Sequence, residues 1–406
     1  MTRLAVVISH PIQHFAPLFR DLGKQPDLDL RVFYCCDWGI SDYADPGFGK
    51  TFKWDVPLLD GYEHEFLPIA KRPTDLGFFS IDNPSVQQRL DEFSPDAVWI
   101  HGYSHRTSWR TYQWAVRNRR RILYFGDSEL LSARGIKARF FKRAVLPRFF
   151  SKCDAFLTIG DNNEAYYRHY GVPDHRMHRG SFPVDITRFR QSVACITDQQ
   201  RIELRAQYGL RADALVALFS GKLIGIKRPF DLLDAVDQLR DEIPSLQALV
   251  LGSGPLEGQL RQRIIERGLA DRVILAGFVN QNLIPQMLRL GDVLTMCSEK
   301  DPHPLAVTEA MSVGNAVIAS DRVGCVGPTD AAREGENALV YRCGRIDELA
   351  ACIRALHNDR DLLSRFQARS LELSETQDTM VMVKAVLRAA HSASTAIARP
   401  TKQDVS

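Results

Sequence analysis

Apolar positions fall into short, nearly continuous runs, each followed by a turn and a longer segment with helical spacing. In the first half the runs occupy 4–8, 30–34, 97–100, 122–125 and 155–159; in the second half they occupy 215–219, 248–251, 273–276, 293–296 and 316–319. A strand buried on both faces reads as a continuous apolar run, the mark of a parallel sheet. Alternation with helical stretches predicts βαβ units. The pattern therefore predicts an α/β chain of two doubly wound, Rossmann-like domains, one in each half. The segment Pro183-Val-Asp-Ile-Thr-Arg-Phe189 leads into a polar stretch, after which Thr197 or Asp198 is fit to cap a new helix. The expected division is 1–190, 191–385, and a helix end with a disordered polar tail over 386–406.

Composition narrows the class. A chain of 406 residues, 45% hydrophobic and 25% charged, can bury two cores without disulfides. The net charge of +3 is too small to argue for nucleic acid, which is not expected as a partner. Eight cysteines, Cys35 and Cys36 adjacent among them, form no C-x-x-C pair and no zinc spacing. A reduced, cytoplasmic protein fits that usage, with Cys153 and Cys297 as small core residues. The first ten residues read as a strand rather than a signal peptide. No run approaches the ~18 apolar residues of a membrane span.

Ligands of open α/β sheets gather at the carboxyl ends of the strands, so the residues after each run are the candidates. The run 293–296 leads into Asp301-Pro-His-Pro-Leu-Ala-Val-Thr-Glu309, two carboxylates eight positions apart, one in a loop and one on a helix. Carboxylates accept hydrogen bonds from sugar and ribose hydroxyls. The helix start between them, around His303, Leu305 and Ala306, offers backbone N–H groups to a phosphate. By spacing alone, a solvated Asp and an ordinary helix Glu fit better. The run 215–219 leads into Ser220-Gly221-Lys222-Leu-Ile-Gly-Ile-Lys227-Arg228-Pro229. A departing diphosphate needs positive charge there, or a metal; two lysines alone would equally suit a basic surface loop. Gly252-Ser-Gly254 is a tight turn, since Gly258 lies one place too far for a dinucleotide fingerprint. Asp27-Leu-Asp29 reads as a surface turn, and no essential metal is expected.

In the first half, His10 and His14 follow the first run, His101 closes the third, and Phe125-Gly-Asp127-Ser-Glu129 closes the fourth. All border the expected cleft on its acceptor side, although a lone histidine is as often structural. The stretch 134–152 carries seven Lys or Arg, no acid, and Phe140, Phe141, Phe149 and Phe150. It suits an anionic membrane surface and, equally, a solvated face with inward aromatics.

Taken together, Lys222, Lys227, Asp301 and Glu309 resemble the basic pair and E-x(7)-E motif of family 4 retaining glycosyltransferases. Leu249-Val-Leu-Gly-Ser-Gly-Pro, Val273-Ile-Leu-Ala-Gly-Phe-Val and Gly335-Glu-Asn-Ala-Leu-Val match as well, so the resemblance spans about 180–390. Ser9-His-Pro-Ile-Gln-His-Phe-Ala-Pro-Leu-Phe-Arg20, Trp54-Asp-Val-Pro-Leu-Leu-Asp-Gly-Tyr62 and Ile100-His-Gly102 resemble a bacterial subgroup acting in polysaccharide or glycoconjugate assembly. The resemblance implies a GT-B fold, two domains facing across a cleft. It implies retaining transfer of a hexose-type sugar from a nucleotide-sugar to a glycan or lipid-linked acceptor, a UDP-sugar ahead of GDP- or ADP-sugars. It implies Glu309 on the ribose, Asp301 on sugar hydroxyls, Lys222 and Lys227 on the diphosphate, and Phe278 and Val279 beside the base. It also implies His303, Leu305 and Ala306 along the donor loop and His101 as a catalytic cleft residue. No protein nucleophile is implied; the leaving phosphate itself takes the acceptor proton. The expected location is cytoplasmic, with the inner face of the plasma membrane as a possible surface. Two departures stand out: Asp301 is one methylene shorter than the usual Glu, and Pro302 and Pro304 lack N–H donors. They keep open a catalytically silent sugar-nucleotide-binding subunit; the other alternative, a GT-B-fold sugar-nucleotide epimerase or hydrolase, is disfavoured by the lysine pair with the paired carboxylates.

Overall fold

All ten apolar runs become strands. The computed structural model describes residues 1–40, 43–45, 47–69, 73, 75, 77–131 and 136–391, with the side chains of 43, 44 and 136–141 outside the description. The first domain contains β1 (Thr2–Ile8), β2 (Leu28–Tyr34), β3 (Tyr43–Asp45), β4 (Lys50–Phe52), β5 (His64–Phe66), β6 (Ala97–His101), β7 (Arg121–Phe125), β8 (Ala155–Thr158) and β9 (Met177–Arg179). Seven of them form one parallel sheet in the order β5-β2-β1-β6-β7-β8-β9, while β3 and β4 make a separate antiparallel hairpin. The second domain contains β10 (Leu215–Ser220), β11 (Leu246–Leu251), β12 (Val273–Gly277), β13 (Val293–Met296), β14 (Ala316–Ser320) and β15 (Ala338–Tyr341). They form a parallel sheet in the order β12-β11-β10-β13-β14-β15.

Alternate residues of a strand face opposite sides of the sheet, and both sides are covered here. Leu4, Val6 and Ile8 enter one core of the first domain, and Ala5 and Val7 enter the other. Leu215, Ala217 and Phe219 are divided in the same way from Val216 and Leu218. This double burial explains the continuous apolar runs. Strand order reverses between β1 and β6 in one sheet and between β10 and β13 in the other. The carboxyl ends of these four strands form the crevices in which open sheets bind ligands.

The second domain is entered through the helix Asp198–Gln207. Thr197 caps it, accepting from the Gln200 N–H while the Gln200 side chain accepts from the Thr197 N–H. Its basic side chains then lock onto Asp292, which accepts from Arg201 at 2.7 Å, Arg205 at 2.9 Å and the Val216 N–H at 2.8 Å. Burial lowers the pKa of Arg205, with the Asp292 carboxylate opposing.

The expected division needs a correction at its end. The helix Thr379–His391 does not finish the second domain but returns to the first. Met382, Val383, Ala385, Val386, Ala389 and Ala390 join the core built by Leu4, Val6 and Leu157. Each fully buried Val or Met there is worth ~1.5–3 kcal/mol. Arg121 fixes the helix end, donating to the Ala389 and Ala390 carbonyls at 2.6 and 2.5 Å. The tail beyond residue 391 lies outside the described residues. So do Arg134 and the side chains of Phe140 and Phe141 in the basic stretch. Phe149 and Phe150 are 3% and 2% exposed, inside the core, so neither is available to a bilayer. No helix among the described residues is long and apolar enough to cross a membrane.

Candidate functional site

The two reversal points face each other. After β10 the chain turns at Gly221 (φ +151°), and after β11 at Gly252 (φ +149°), conformations that favour glycine. A Cβ on Gly252 would run into the Gly221 carbonyl, so these two strand ends meet backbone to backbone. That close approach aims Lys222 and Lys227 into the crevice. The helix Pro229–Gln238 then starts with proline at its first position, where a missing N–H costs nothing.

Within the crevice lies a cavity open to solvent. Its walls include Gln13, Phe48, Trp54, Gly221, Phe278 and Glu309. Val279, Leu305 and Ala306 line it too, so five expected donor-side residues meet in one space. A second cavity, lined by His14, Arg20, Arg188 and Gln281, shares Glu309 with it. The Glu309 carboxylate accepts no hydrogen bond from any described residue, while its backbone oxygen accepts from Ser312 Oγ at 2.6 Å. Burial pushes its carboxyl up to about 7, with Arg188 opposing. Arg188 is itself held by Gln281, donating to the backbone oxygen at 2.8 Å and to Oε1 at 3.1 Å. A half-buried carboxylate without donors is a vacancy for hydroxyl groups.

Asp301 is 7% exposed and paired with Lys227, and Ser298 Oγ stands 3.5 Å from its carboxylate. Lys222 reaches across the domain gap, donating to both carboxylate oxygens of Asp45 at 2.9 Å. His303 departs from expectation. Its ring is 1% exposed, its Nε2 faces Asp330 Oδ1 at 3.1 Å, and it does not line the cavity that Glu309 lines. The proline-flanked loop turns it toward the domain seam, where Asp330 also accepts from the Asp161 N–H at 2.8 Å. At this seam Asn162 donates to the Gly324 and Val326 carbonyls, and a Cβ on Gly160 would strike Asp330.

On the opposite wall, four histidines gather above β1 and β6. Burial lowers His10 to about 4, and His14 and His101 to about 3, neighbouring histidines adding to each shift. His105, which precedes the helix Arg106–Arg117, is lowered by burial as well. All are neutral at pH 7. Among the described residues, both ring nitrogens of His14 and Nε2 of His101 are buried without a hydrogen-bond partner. Phe15 and Phe125 hold the His101 ring, with centroids 5.0 and 4.9 Å away. Asp127 opens onto the cleft, yet the protein around it raises its pKa, Asp301 and Glu129 adding to the effect and His303 opposing it. Glu129 is 1% exposed and buried below. Among the described residues no three His, Cys, Asp or Glu gather as a metal-binding group. Asp29 of the Asp27-Leu-Asp29 turn accepts from Arg3 at 3.1 Å.

The sequence reading missed Gln13, Asp45, Phe48, Arg188 and Gln281 as cleft residues. Only Asp45 carries a local signal, an Asp-Pro-Gly turn.

Residues 200–372 match the family model described as "Glycosyl transferases group 1". The motif residues Lys222, Lys227, Asp301 and Glu309 all fall inside that stretch. The chain is 26% identical over 223 residues to alpha-D-kanosaminyltransferase of Streptomyces kanamyceticus, covering 55% of this chain and 56% of that one. It therefore spans only about half the length of that relative. EpsD of Bacillus subtilis is 29% identical over 360 residues, 82% of this chain and 88% of its own. HepE of Anabaena, solved in complex with UDP, superposes with a TM-score of 0.70 at 18% identity, covering 96% of this chain and 99% of that one. This likeness concerns the fold, which is the GT-B arrangement of two Rossmann-like domains.

Proposed function

We propose, taking as premise a second domain that matches glycosyl transferases group 1, that the protein is a retaining glycosyltransferase. It moves a hexose-type sugar from a UDP-sugar to a glycan or lipid-linked acceptor. The observation that carries the reading is the Glu309 carboxylate, without donors among the described residues, in a cavity walled by Phe278 and bordered by the strand end that bears Lys222. In this reading Glu309 accepts from the ribose hydroxyls, and backbone groups near Phe278 and Val279 frame the base. Lys222 and Lys227 take the diphosphate, and Asp301 holds sugar hydroxyls. The carbon–oxygen bond to the diphosphate breaks, charge gathers on the leaving phosphate, and the two lysines stabilise it. The acceptor oxygen bonds to the anomeric carbon, and its proton passes to a leaving phosphate oxygen. His101 is neutral, so it serves as a hydrogen-bond partner to the sugar rather than as a cation.

Phe149 and Phe150 are buried and add nothing to a membrane-facing acceptor side, for which the basic side chains are the argument. Lys142 also stacks on Tyr103 and Tyr166, with its Nζ 5.6 and 5.7 Å from the ring centroids. Cytoplasmic location and a role in polysaccharide assembly belong to the same reading. The deciding experiment is a panel of UDP-, GDP- and ADP-sugars with and without glycan acceptors, read by mass spectrometry. Acceptor-dependent transfer from a UDP-sugar supports the reading. An isomerised or hydrolysed sugar nucleotide without acceptor would replace it with an epimerase or hydrolase, and UDP binding with no turnover would replace it with a silent subunit.

A further inference from the structure

The hairpin β3–β4 belongs to the first domain, yet it lies on the donor face of the second. Ser253 Oγ donates to the Phe48 carbonyl at 2.9 Å. A Cβ on Gly254 would stand 2.9 Å from the Gly47 carbonyl, so the two backbones meet there without side chains between them. The Phe48 and Phe52 rings pack on Phe278 at 5.1 and 4.6 Å. Asp45 Oδ1 also accepts from the N–H groups of Gly47 at 2.8 Å and Phe48 at 3.1 Å, which fixes its carboxylate in the turn. That carboxylate takes the Lys222 ammonium with both oxygens, and the ammonium also stands 4.9 Å from the Phe48 ring centroid. Asp45 and Lys222 side chains are 13% and 35% exposed, so the pair is only partly screened.

A carboxylate and a diphosphate oxygen ask the same thing of a lysine: charge-assisted N–H donation. One ammonium cannot serve both fully. We propose that Asp45 occupies the diphosphate position of the ligand-free protein and competes with the nucleoside diphosphate for Lys222. The proposal rests on Lys222 as a phosphate ligand. It gives the first domain a direct hold on donor affinity and a role at the end of the reaction. When the sugar has left, Asp45 returns to Lys222 and hastens release of the nucleoside diphosphate.

The test is calorimetric titration of wild type, Asp45→Asn and Lys222→Met with UDP and with uridine. Asparagine keeps the Oδ1 acceptor that the turn needs and removes the charge. Asp45→Asn should bind UDP about two- to fivefold more tightly, the scale of a partly exposed ion pair. Uridine, which has no phosphate, should bind unchanged, which separates competition from a general loosening of the hairpin. UDP binding to Asp45→Asn that is equal to or weaker than wild type would overturn the proposal, as would an equal gain for uridine. Lys222→Met should weaken UDP but not uridine. If it leaves UDP untouched, the assignment of Lys222 fails, whatever Asp45 does.

Discussion

Glu309 makes nucleoside binding depend on pH, with a sign that can be worked out. Its carboxyl is pushed up to about 7 by burial, from an ordinary 4.5. Ribose hydroxyls donate to the ionised form and stabilise it, so binding lowers that pKa and releases a proton. Affinity should therefore rise with pH up to about 7 and level off above it. With a free pKa of about 7, roughly three quarters of the carboxyl is ionised at pH 7.5 and about a tenth at pH 6. The uridine dissociation constant should thus weaken about eightfold over that interval, or about 1.2 kcal/mol at 1.36 kcal/mol per tenfold change. Uridine is the right probe because a terminal phosphate has its own pKa near ~6. His10, His14 and His101, at about 4, 3 and 3, do not titrate in this window. Titrations in buffers of different ionisation enthalpy should show proton release at pH 6.5 that vanishes in Glu309→Gln. A flat dissociation constant from pH 6 to 8, or the same slope in Glu309→Gln, would refute the reasoning. Stability has the opposite sign. A folded-state pKa above the unfolded one contributes stability below about 4.5 that is lost as pH rises through about 7. Glu309→Gln should accordingly melt above wild type at pH 8, the difference shrinking toward pH 5.

Lys222→Ala should lower kcat/KM by about 10²–10³, the cost of one preorganised charge contact; near-normal turnover in a folded variant would remove Lys222 from the phosphates, and EDTA should leave wild-type turnover intact. Asp292→Ala strands Arg205, whose side chain is 4% exposed, and should destabilise the protein by about 3–5 kcal/mol in chemical denaturation; a loss under about 1 kcal/mol would mean that solvent reaches the guanidinium. In liposome flotation, binding should be confined to anionic vesicles, disappear at high salt, and fall when Lys142 and Arg143 become Glu; vesicles of neither charge retaining the protein would leave a non-membrane acceptor.

The main sheets were legible because strands buried on both faces must be apolar throughout. β5 and β9 were not. Each is three residues long, His64-Glu-Phe and Met177-His-Arg, and each pairs on one side only at a sheet edge. The helix Thr379–His391 shows its apolar stripe in the sequence, but a stripe does not say which core receives it. Glu309 and the lysines stand out in the sequence because motif spacing and strand ends coincide in one domain. Asp45 does not, because its partner Lys222 lies 177 residues away and meets it only when the two domains face each other. His303 is placed away from the cavity that Glu309 lines for a related reason. It lies in the donor motif, but its partner Asp330 comes from the loop after β14 and turns it toward the seam.

The return of the last helix sets a timetable for synthesis. β9 ends at residue 179, but the helix that covers β1, β8 and β9 begins only at residue 379. At ~5–20 residues per second, the ribosome needs roughly 10–40 s to add the 200 residues between them. During that interval the face bearing Leu4, Val6 and Leu157 has emerged without its cover, while the segment 200–372 is already free to fold. The earlier-made half is thus the later to finish, and the nascent chain carries an apolar face that chaperones can recognise. Genetic separation at residue 190 meets the same obstacle: the released first half would lack the helix that closes its core.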